Sequence, residues 1–351
     1  MRANIATGIA SFGMSGRIFH EPLLRCHPGF TLKKVLSRSG KQPEKLSPGI
    51  SVCKTYEELI NDPGIELIVV NVPDHLHYDF ARRAILAGKH TVVEKPFTVS
   101  VDEGKELIRL AKEKKRVLSV FQNRRWDSDF LAIRKALSDK VLGRIVEFEA
   151  HFDRYRPEPA SGTWKEQEGT GTGVLYNLGA HLIDQALVLF GWPEAVYADM
   201  DQIRRNGKVN DYFTIHLYYP ETRVILKSSY LVCSPGPKYI IHGETGSLYK
   251  FGNDPQEEQL SRGMLPRNDG YGIEPSDPRS VFQKCRRIQS RETSEIPLQK
   301  GNYLQYYDQV FHAIRNQSND YISGEEGLDV IRIITTATES AQKGIRVIPA
   351  R

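Results

Sequence analysis

Three groups of residues in this 351-residue chain have the types and spacing to do chemistry. The first is Glu94-Lys95-Pro96, which closes the apolar run His90-Thr91-Val92-Val93. That run reads as a buried strand, and a lysine directly after it stands at the carboxyl end, where open α/β sheets bind their ligands. The proline cannot continue the ladder, so the chain must turn there. An abrupt turn at a ligand crevice raises the expectation of a cis Lys95–Pro96 bond. A cation aimed into such a crevice suits proton transfer beside a bound nucleotide; taken alone, the tripeptide also fits a solvated strand end.

The second group is Ser11-Phe12-Gly13-Met14-Ser15-Gly16, which follows the strand-like segment Asn4 to Ala10. Gly13 stands where the backbone of a dinucleotide loop must approach a pyrophosphate, and Gly16 where a helix packs closely on a strand. Ser11 occupies the tight-turn position that usually holds a third glycine. The third group is Asn177, His181 and Asp184, at i, i+4 and i+7 of a helix-periodic segment, so all on one face. His181 suits acid/base work or orienting a substrate hydroxyl; it equally suits a core histidine satisfied by Asp184.

Other segments qualify these. About 20 residues past the glycine loop, an NAD-binding chain carries an acid for the ribose 2′-hydroxyl. Here the segment is Ser37-Arg38-Ser39, and an arginine between hydroxyls suits a 2′-phosphate. Asn123-Arg124-Arg125-Trp126 directly follows the last strand of the first third. Arg154-Tyr155-Arg156 ends a long strand, and Trp164 with Gly169, Gly171 and Gly173 reads as a mobile loop. Planar donors and aromatic faces of this kind bind polyols. His75 and His77 have a spacing that suits a metal, but no clustered carboxylates or cysteines join them, so no metal site is expected.

The elements that must position these residues follow from periodicity. Strands at Phe30–Leu36, Leu67–Val72, His90–Val93 and Val117–Phe121 alternate with helices. Thr55-Tyr56-Glu57-Glu58 and Ser100-Val101-Asp102-Glu103 are capping boxes that open two of those helices. This alternation predicts a doubly wound parallel sheet. After a helix over 127–137 the pattern changes to strand runs near 145–153, 195–203, 212–219, 223–232 and 238–242, a meander-like set. A helix over 177–190 interrupts them, residues 253–294 read as an irregular excursion, and two helices near 303–315 and 325–342 end the chain.

Apolar content of 40% and charged content of 26% fit a soluble globular chain of two or more domains. A net charge of +5 without a basic, aromatic-interleaved stripe argues against nucleic acid. Cys26, Cys53, Cys233 and Cys285 form no CxxC pair, which fits a reducing cytoplasm. No stretch approaches 18 apolar residues, and the opening MRANIATGIASFG lacks a signal peptide's apolar core, so neither membrane nor export is expected.

Taken together the motifs resemble the Gfo/Idh/MocA family of nicotinamide-dependent oxidoreductases, over essentially the whole chain. The resemblance rests on Gly-Met-Ser-Gly-Arg-Ile-Phe-His (13–20), Asn-Val-Pro-Asp-His-Leu-His (71–77), Glu-Lys-Pro (94–96), Phe-Gln-Asn-Arg-Arg-Trp-Asp (121–127) and the helix carrying His181. Tyr-Arg-Pro-Glu (155–158) and Glu-Glu-Gly-Leu-Asp-Val-Ile-Arg-Ile-Ile (325–334) bring it nearest the NADP-dependent scyllo-inositol dehydrogenases. It implies a Rossmann domain over 1–122 and, over 123–351, a C-terminal α/β domain with a large, mostly antiparallel sheet that binds substrate and commonly forms homodimers or homotetramers.

It implies NADP, with NAD as the lesser fit, held by Ser11, Phe12, Gly13, Met14, Ser15, Ser37, Arg38, Asn71, Pro73, His75, His77, Glu94, Lys95, Asn123, Arg125 and Trp126. A polyol or sugar, scyllo-inositol among them, would meet Lys95, Arg124, Tyr155, Trp164, Asn177, His181 and Asp184. Lys95, His181 and Asn177 match the family's catalytic positions. Asn177 stands where the family carries an aspartate, and an amide cannot take up a proton as a carboxylate does. That departure leaves a second reading open, a nucleotide- or sugar-sensing regulator without turnover.

Overall fold

The computed structural model describes residues 4–37, 46–287 and 290–351, and the elements and contacts below are those of the described residues. Contacts divide the chain into two units: residues 1–126, 255–272 and 302–328 form one, and 127–254, 273–301 and 329–351 the other.

The first unit is built on a parallel sheet of β1 (Ile5–Ile9), β2 (Phe30–Leu36), β3 (Ser51–Cys53), β4 (Leu67–Val70), β5 (His90–Val93) and β6 (Leu118–Val120), in the order β3-β2-β1-β4-β5-β6. Continuous apolar runs make this possible: all four residues of β4 are buried, as a strand covered on both faces by helices requires. The helices are α1 (Glu21–Cys26), α2 (Tyr56–Ile60), α3 (His77–Leu86) and α4 (Val101–Lys114). Both capping boxes form. Thr55 Oγ1 accepts from the Glu58 N–H at 3.2 Å and Ser100 Oγ from the Glu103 N–H at 3.3 Å. Each glutamate reaches back one residue further than expected, to the N–H of Lys54 and of Val99. The order of strands reverses between β1 and β4, so the connections after them leave toward opposite faces, the switch point at which such sheets bind ligands.

The later segments of this unit lock onto the same sheet. Ser119 Oγ donates to the Ile322 carbonyl at 2.7 Å, and Arg315 forms a bidentate pair with Glu66, both bonds 2.9 Å. Gly327 lies so near that a Cβ there would come within 2.5 Å of Val120. No periodicity in the sequence announces these returns.

The second unit holds β7 (Ile145–His151), β8 (Ala195–Asp201), β9 (Tyr212–Tyr218), β10 (Arg223–Ser229), β11 (Tyr239–Gly243), β12 (Gly246–Lys250), β13 (Val281–Arg287) and β14 (Ser290–Glu295), in the order β14-β13-β12-β11-β7-β10-β9-β8. Every pairing is antiparallel except β7 with β10. One face is core: in β9, Phe213, Ile215 and Leu217 are fully buried while their neighbours are half-buried. Helices α5 (Ser128–Ser138) and α6 (Ala180–Phe190) belong to this unit.

The structure corrects the reading of residues 253–294 as irregular. They contain the helix Gln256–Ser261 and the edge hairpin β13–β14. An edge pair need not alternate apolar with polar residues, and charged edges guard against unwanted pairing, so the period-2 signal is missing there. The short strands β3 and β12 were likewise invisible to periodicity. Among the described residues no helix is long and apolar enough to cross a membrane.

Candidate active site

The glycine loop follows β1 and is fastened from the neighbouring strand. Asn71, just past the end of β4, donates from Nδ2 to the Ser11 carbonyl at 2.7 Å and to Ser15 Oγ at 3.2 Å. The two glycines meet different constraints. A Cβ on Gly16 would lie 2.4 Å from the Ser11 carbonyl oxygen, so the loop itself demands glycine there. A Cβ on Gly13 would meet nothing closer than Ser11 Oγ at 3.5 Å. Among the described residues no neighbour explains Gly13; a pyrophosphate drawn to a helix start would. Two buried acceptors at strand ends, Asn71 Oδ1 and Gln122 Oε1, also have no hydrogen-bond partner among the described residues. Orphaned buried acceptors are rare and call for a donor from a ligand or water. The residues present therefore fit a nicotinamide dinucleotide.

Phe12 and Ser15 are half-buried, and Met14 is 52% exposed beside Gly13. Ser37, directly after β2, is half-buried and donates its N–H to the Cys53 carbonyl at 3.0 Å. Arg38, on which the preference for a 2′-phosphate rests, lies outside the described residues, as does Ser39. Pro73 is half-buried and His75 exposed.

The turn after β5 is held more firmly than its sequence suggested. The Lys95–Pro96 bond is cis. Glu94 Oε2 accepts from the Lys95 N–H at 3.1 Å, and Glu94 Oε1 lies 3.1 Å from Nε2 of the fully buried His20. Burial pushes the Glu94 carboxyl up, but the hydrogen bond from His20 and the nearby Lys95 cation outweigh it and leave Glu94 below its ordinary value. On the other side of the turn, His77 is wholly buried. Its Nδ1 lies 2.8 Å from the Pro96 carbonyl and its Nε2 3.0 Å from the Val72 carbonyl. The ring thus braces the turn from inside. Each Glu94 oxygen has one hydrogen-bond partner in this turn, His20 at Oε1 and the Lys95 N–H at Oε2. His20 enters the sequence reading only as the last residue of the 13–20 motif and Tyr307 not at all, because nothing in spacing links residues 287 positions apart.

Asn123-Arg124-Arg125-Trp126 forms a 3₁₀ turn after β6, with Asn123 buried. Both arginines are ion-paired within the unit, Arg124 with Glu257 and Arg125 with Glu326 at 2.7 Å. The Trp126 carbonyl accepts from the Asn302 N–H and from Gln256 Nε2, each at 3.0 Å.

In the second unit the helix bearing His181 is not α-helical throughout. Leu175–Gly179 is a π turn that runs into α6, so Asn177 lies in the π turn and His181 in α6. The loop helix after β1 also opens with a π turn, Gly16–His20. Such turns recur at functional sites because they re-aim side chains. His181 and Asp184 are both buried, 5% and 2% exposed. Asn177 Nδ2 donates to the Tyr230 hydroxyl at 3.1 Å. The Arg204 guanidinium lies over the Tyr230 ring, 4.9 Å from its centroid. Arg204 is completely buried and binds Asp211 and Glu166, each at 2.7 Å. Glu166 belongs to the Trp164–Glu166 turn, so the loop expected to be mobile is pinned there by a buried ion pair. Arg204 escaped the sequence reading because an arginine in a polar stretch gives no sign of burial. Tyr155 is 57% exposed.

Two comparisons with known sequences and one with a solved structure extend this geometry. Residues 5–122 match the GFO_IDH_MocA family described as "Oxidoreductase family, NAD-binding Rossmann fold", and 134–348 match its C-terminal alpha/beta domain. The chain is 41% identical to scyllo-inositol 2-dehydrogenase (NADP(+)) IolW of Bacillus subtilis, over 97% of this chain and 94% of that protein. It is 39% identical to the oxidoreductase YdgJ of Escherichia coli, over 97% and 98%. The solved structure of yvaA from Bacillus subtilis superposes with a TM-score of 0.93 at 39% identity, over 99% of each chain.

Proposed function

Because the chain belongs to the Gfo/Idh/MocA oxidoreductase family, we propose that it is an NADP(H)-dependent dehydrogenase of a polyol or sugar, with scyllo-inositol the first substrate to try. The observation that carries this reading is the sheet of the first unit. Its glycine loop after β1, open at Gly13, and Lys95 after β5 stand at the carboxyl ends of one parallel sheet. The IolW relative, named for scyllo-inositol and NADP, supports both the substrate class and the cofactor.

Ser11 to Ser15 and Asn71 would hold the dinucleotide, with Ser37 and Arg38 toward its 2′-phosphate. The nicotinamide, when bound, supplies the hydride acceptor or donor. His181 takes the hydroxyl proton as the alcohol is oxidised and returns it in the reverse direction. The Lys95 ammonium stabilises the developing alkoxide. Asn177 and Trp164 orient the polyol. The half-buried face of the eight-stranded sheet, with Glu149, His151 and Lys227, is where a homo-oligomer would form. Turnover measured with NADP and NAD over a panel of inositols, polyols and sugars tests the proposal. Tight NADP binding with no turnover on any of them would favour the sensing regulator instead.

A further inference from the structure

The turn that carries Lys95 is governed by a buried chain of hydrogen bonds from distant parts of the first unit. Tyr307 Oη lies 2.7 Å from His20 Nδ1, His20 Nε2 lies 3.1 Å from Glu94 Oε1, and Glu94 Oε2 accepts from the Lys95 N–H. His20 is 0% exposed and its ring sits 4.4 Å, centroid to centroid, from that of Phe121.

The direction of this chain is fixed by chemistry. A carboxylate only accepts, and the neighbours of Glu94 favour its ionised form. His20 Nε2 must then donate. Burial keeps the Tyr307 phenol protonated, so it can donate to Nδ1. One neutral imidazole tautomer therefore satisfies all three groups. The geometry points to His20 as a positioning residue for Lys95: it orients the Glu94 carboxylate that holds the Lys95 backbone, while Tyr307 fixes its tautomer. A ring kept only to fill the core would need none of these donors. The inference rests on the proposed role of Lys95 in turnover.

Substitutions at residue 20 test it, with His20→Gln, His20→Asn and His20→Phe compared in the full-length protein alongside Lys95→Ala. The Gln amide nitrogen can replace Nε2 and donate to Glu94; the Asn amide replaces Nδ1 and cannot reach it; Phe keeps the packing and has no donor. The expected result is that H20Q retains kcat within about threefold, while H20N and H20F lose about tenfold or more. NADPH dissociation constants and substrate KM should stay near wild-type in all three. A role in packing alone predicts the opposite order, with H20F mildest. Wild-type kcat in H20F would therefore overturn the inference. If H20F does not fold, H20N decides, and activity equal to that of H20Q overturns it. Loss of turnover in K95A without loss in H20F or H20N refutes the role of His20 alone; near-normal turnover in K95A refutes the role of Lys95 itself.

Discussion

Alanine at Gly13 and alanine at Gly16 should damage different properties, and the contrast tests where the pyrophosphate lies. Gly13 is not among the residues with positive φ, and its added Cβ would stand 3.5 Å from the nearest protein atom, Ser11 Oγ. Gly13→Ala should therefore fold normally, and lower entropy of the unfolded chain can stabilise it by about 0.4–1 kcal/mol. The new methyl would occupy the approach to the loop backbone. Losing close charge-assisted contacts to a phosphate costs about 1.5–3 kcal/mol, or about tenfold to a hundredfold in NADPH affinity. At Gly16 the Cβ would be 2.4 Å from the Ser11 carbonyl oxygen and 3.1 Å from Asn71 Nδ2. The first neighbour is backbone and cannot swing aside, so Gly16→Ala should cost about 1–3 kcal/mol of stability. It should also loosen the Asn71 clasp on the loop. Thermal melts of the free proteins and NADPH fluorescence titrations separate the two effects. If Gly13→Ala binds NADPH as tightly as wild-type with an unchanged melt, the pyrophosphate does not rest on that backbone and the assignment of the loop is wrong.

Arg38→Ala should weaken NADP by about tenfold to a hundredfold while leaving NAD little changed, since only the 2′-phosphate loses its charged partner; equal NAD and NADP affinity in the wild-type protein would remove the role given to Arg38. Asn177→Asp should raise the pKa of His181 and move upward the limb of the pH–rate profile that reports it, whereas an unmoved profile would assign His181 to orienting substrate. Acid should destabilise the first unit through His90, whose pKa is held down to about 4 from 6.5, chiefly by burial and then by Arg116. Its neutral ring accepts from the Val117 N–H through Nδ1 at 2.9 Å. Because the folded pKa is depressed, the stability is present above pH 6.5 and lost as pH falls toward 4, at most about 3 kcal/mol in all. Urea titrations across that window should show a flatter acid limb in His90→Asn, and identical curves for the two proteins would refute the assignment.

Local chemistry was legible in the sequence and long-range closure was not. The β-branched runs ending at Val70 and Val93, the capping boxes at Thr55 and Ser100, and the alternation in Tyr212–Tyr218 all declare themselves within a few residues, because periodicity and caps are local physics. The residues that hold Lys95 in place come from elsewhere: His20 from the helix after the glycine loop and Tyr307 from a helix near the end of the chain. Glu257 and Glu326, which pair with Arg124 and Arg125, are similarly remote. Such partners are chosen by the fold, so types and spacing along the chain cannot reveal them. The same limit explains His77, whose place in a recognisable motif said nothing about which way its ring would turn.

Asparagine at 177 makes physical sense among its neighbours. The Arg204 cation is already matched by two carboxylates, Asp211 and Glu166, before residue 177 is counted. A third carboxylate, joined to the cluster through Tyr230, would add like-charge repulsion in a place where Arg204 and Asp211 are wholly buried. An amide avoids that and offers what a carboxylate cannot, an N–H for the Tyr230 hydroxyl. The substitution thus exchanges proton-accepting capacity beside His181 for a neutral, satisfied hydrogen bond to the residues that anchor the Trp164 turn. On the proposed reading, His181 and Lys95 would handle the proton, and Asn177, tied to the Tyr230 hydroxyl, would orient the polyol. On that reading the departure from the family aspartate redistributes roles within the proposed site, and it does not by itself argue for lost activity.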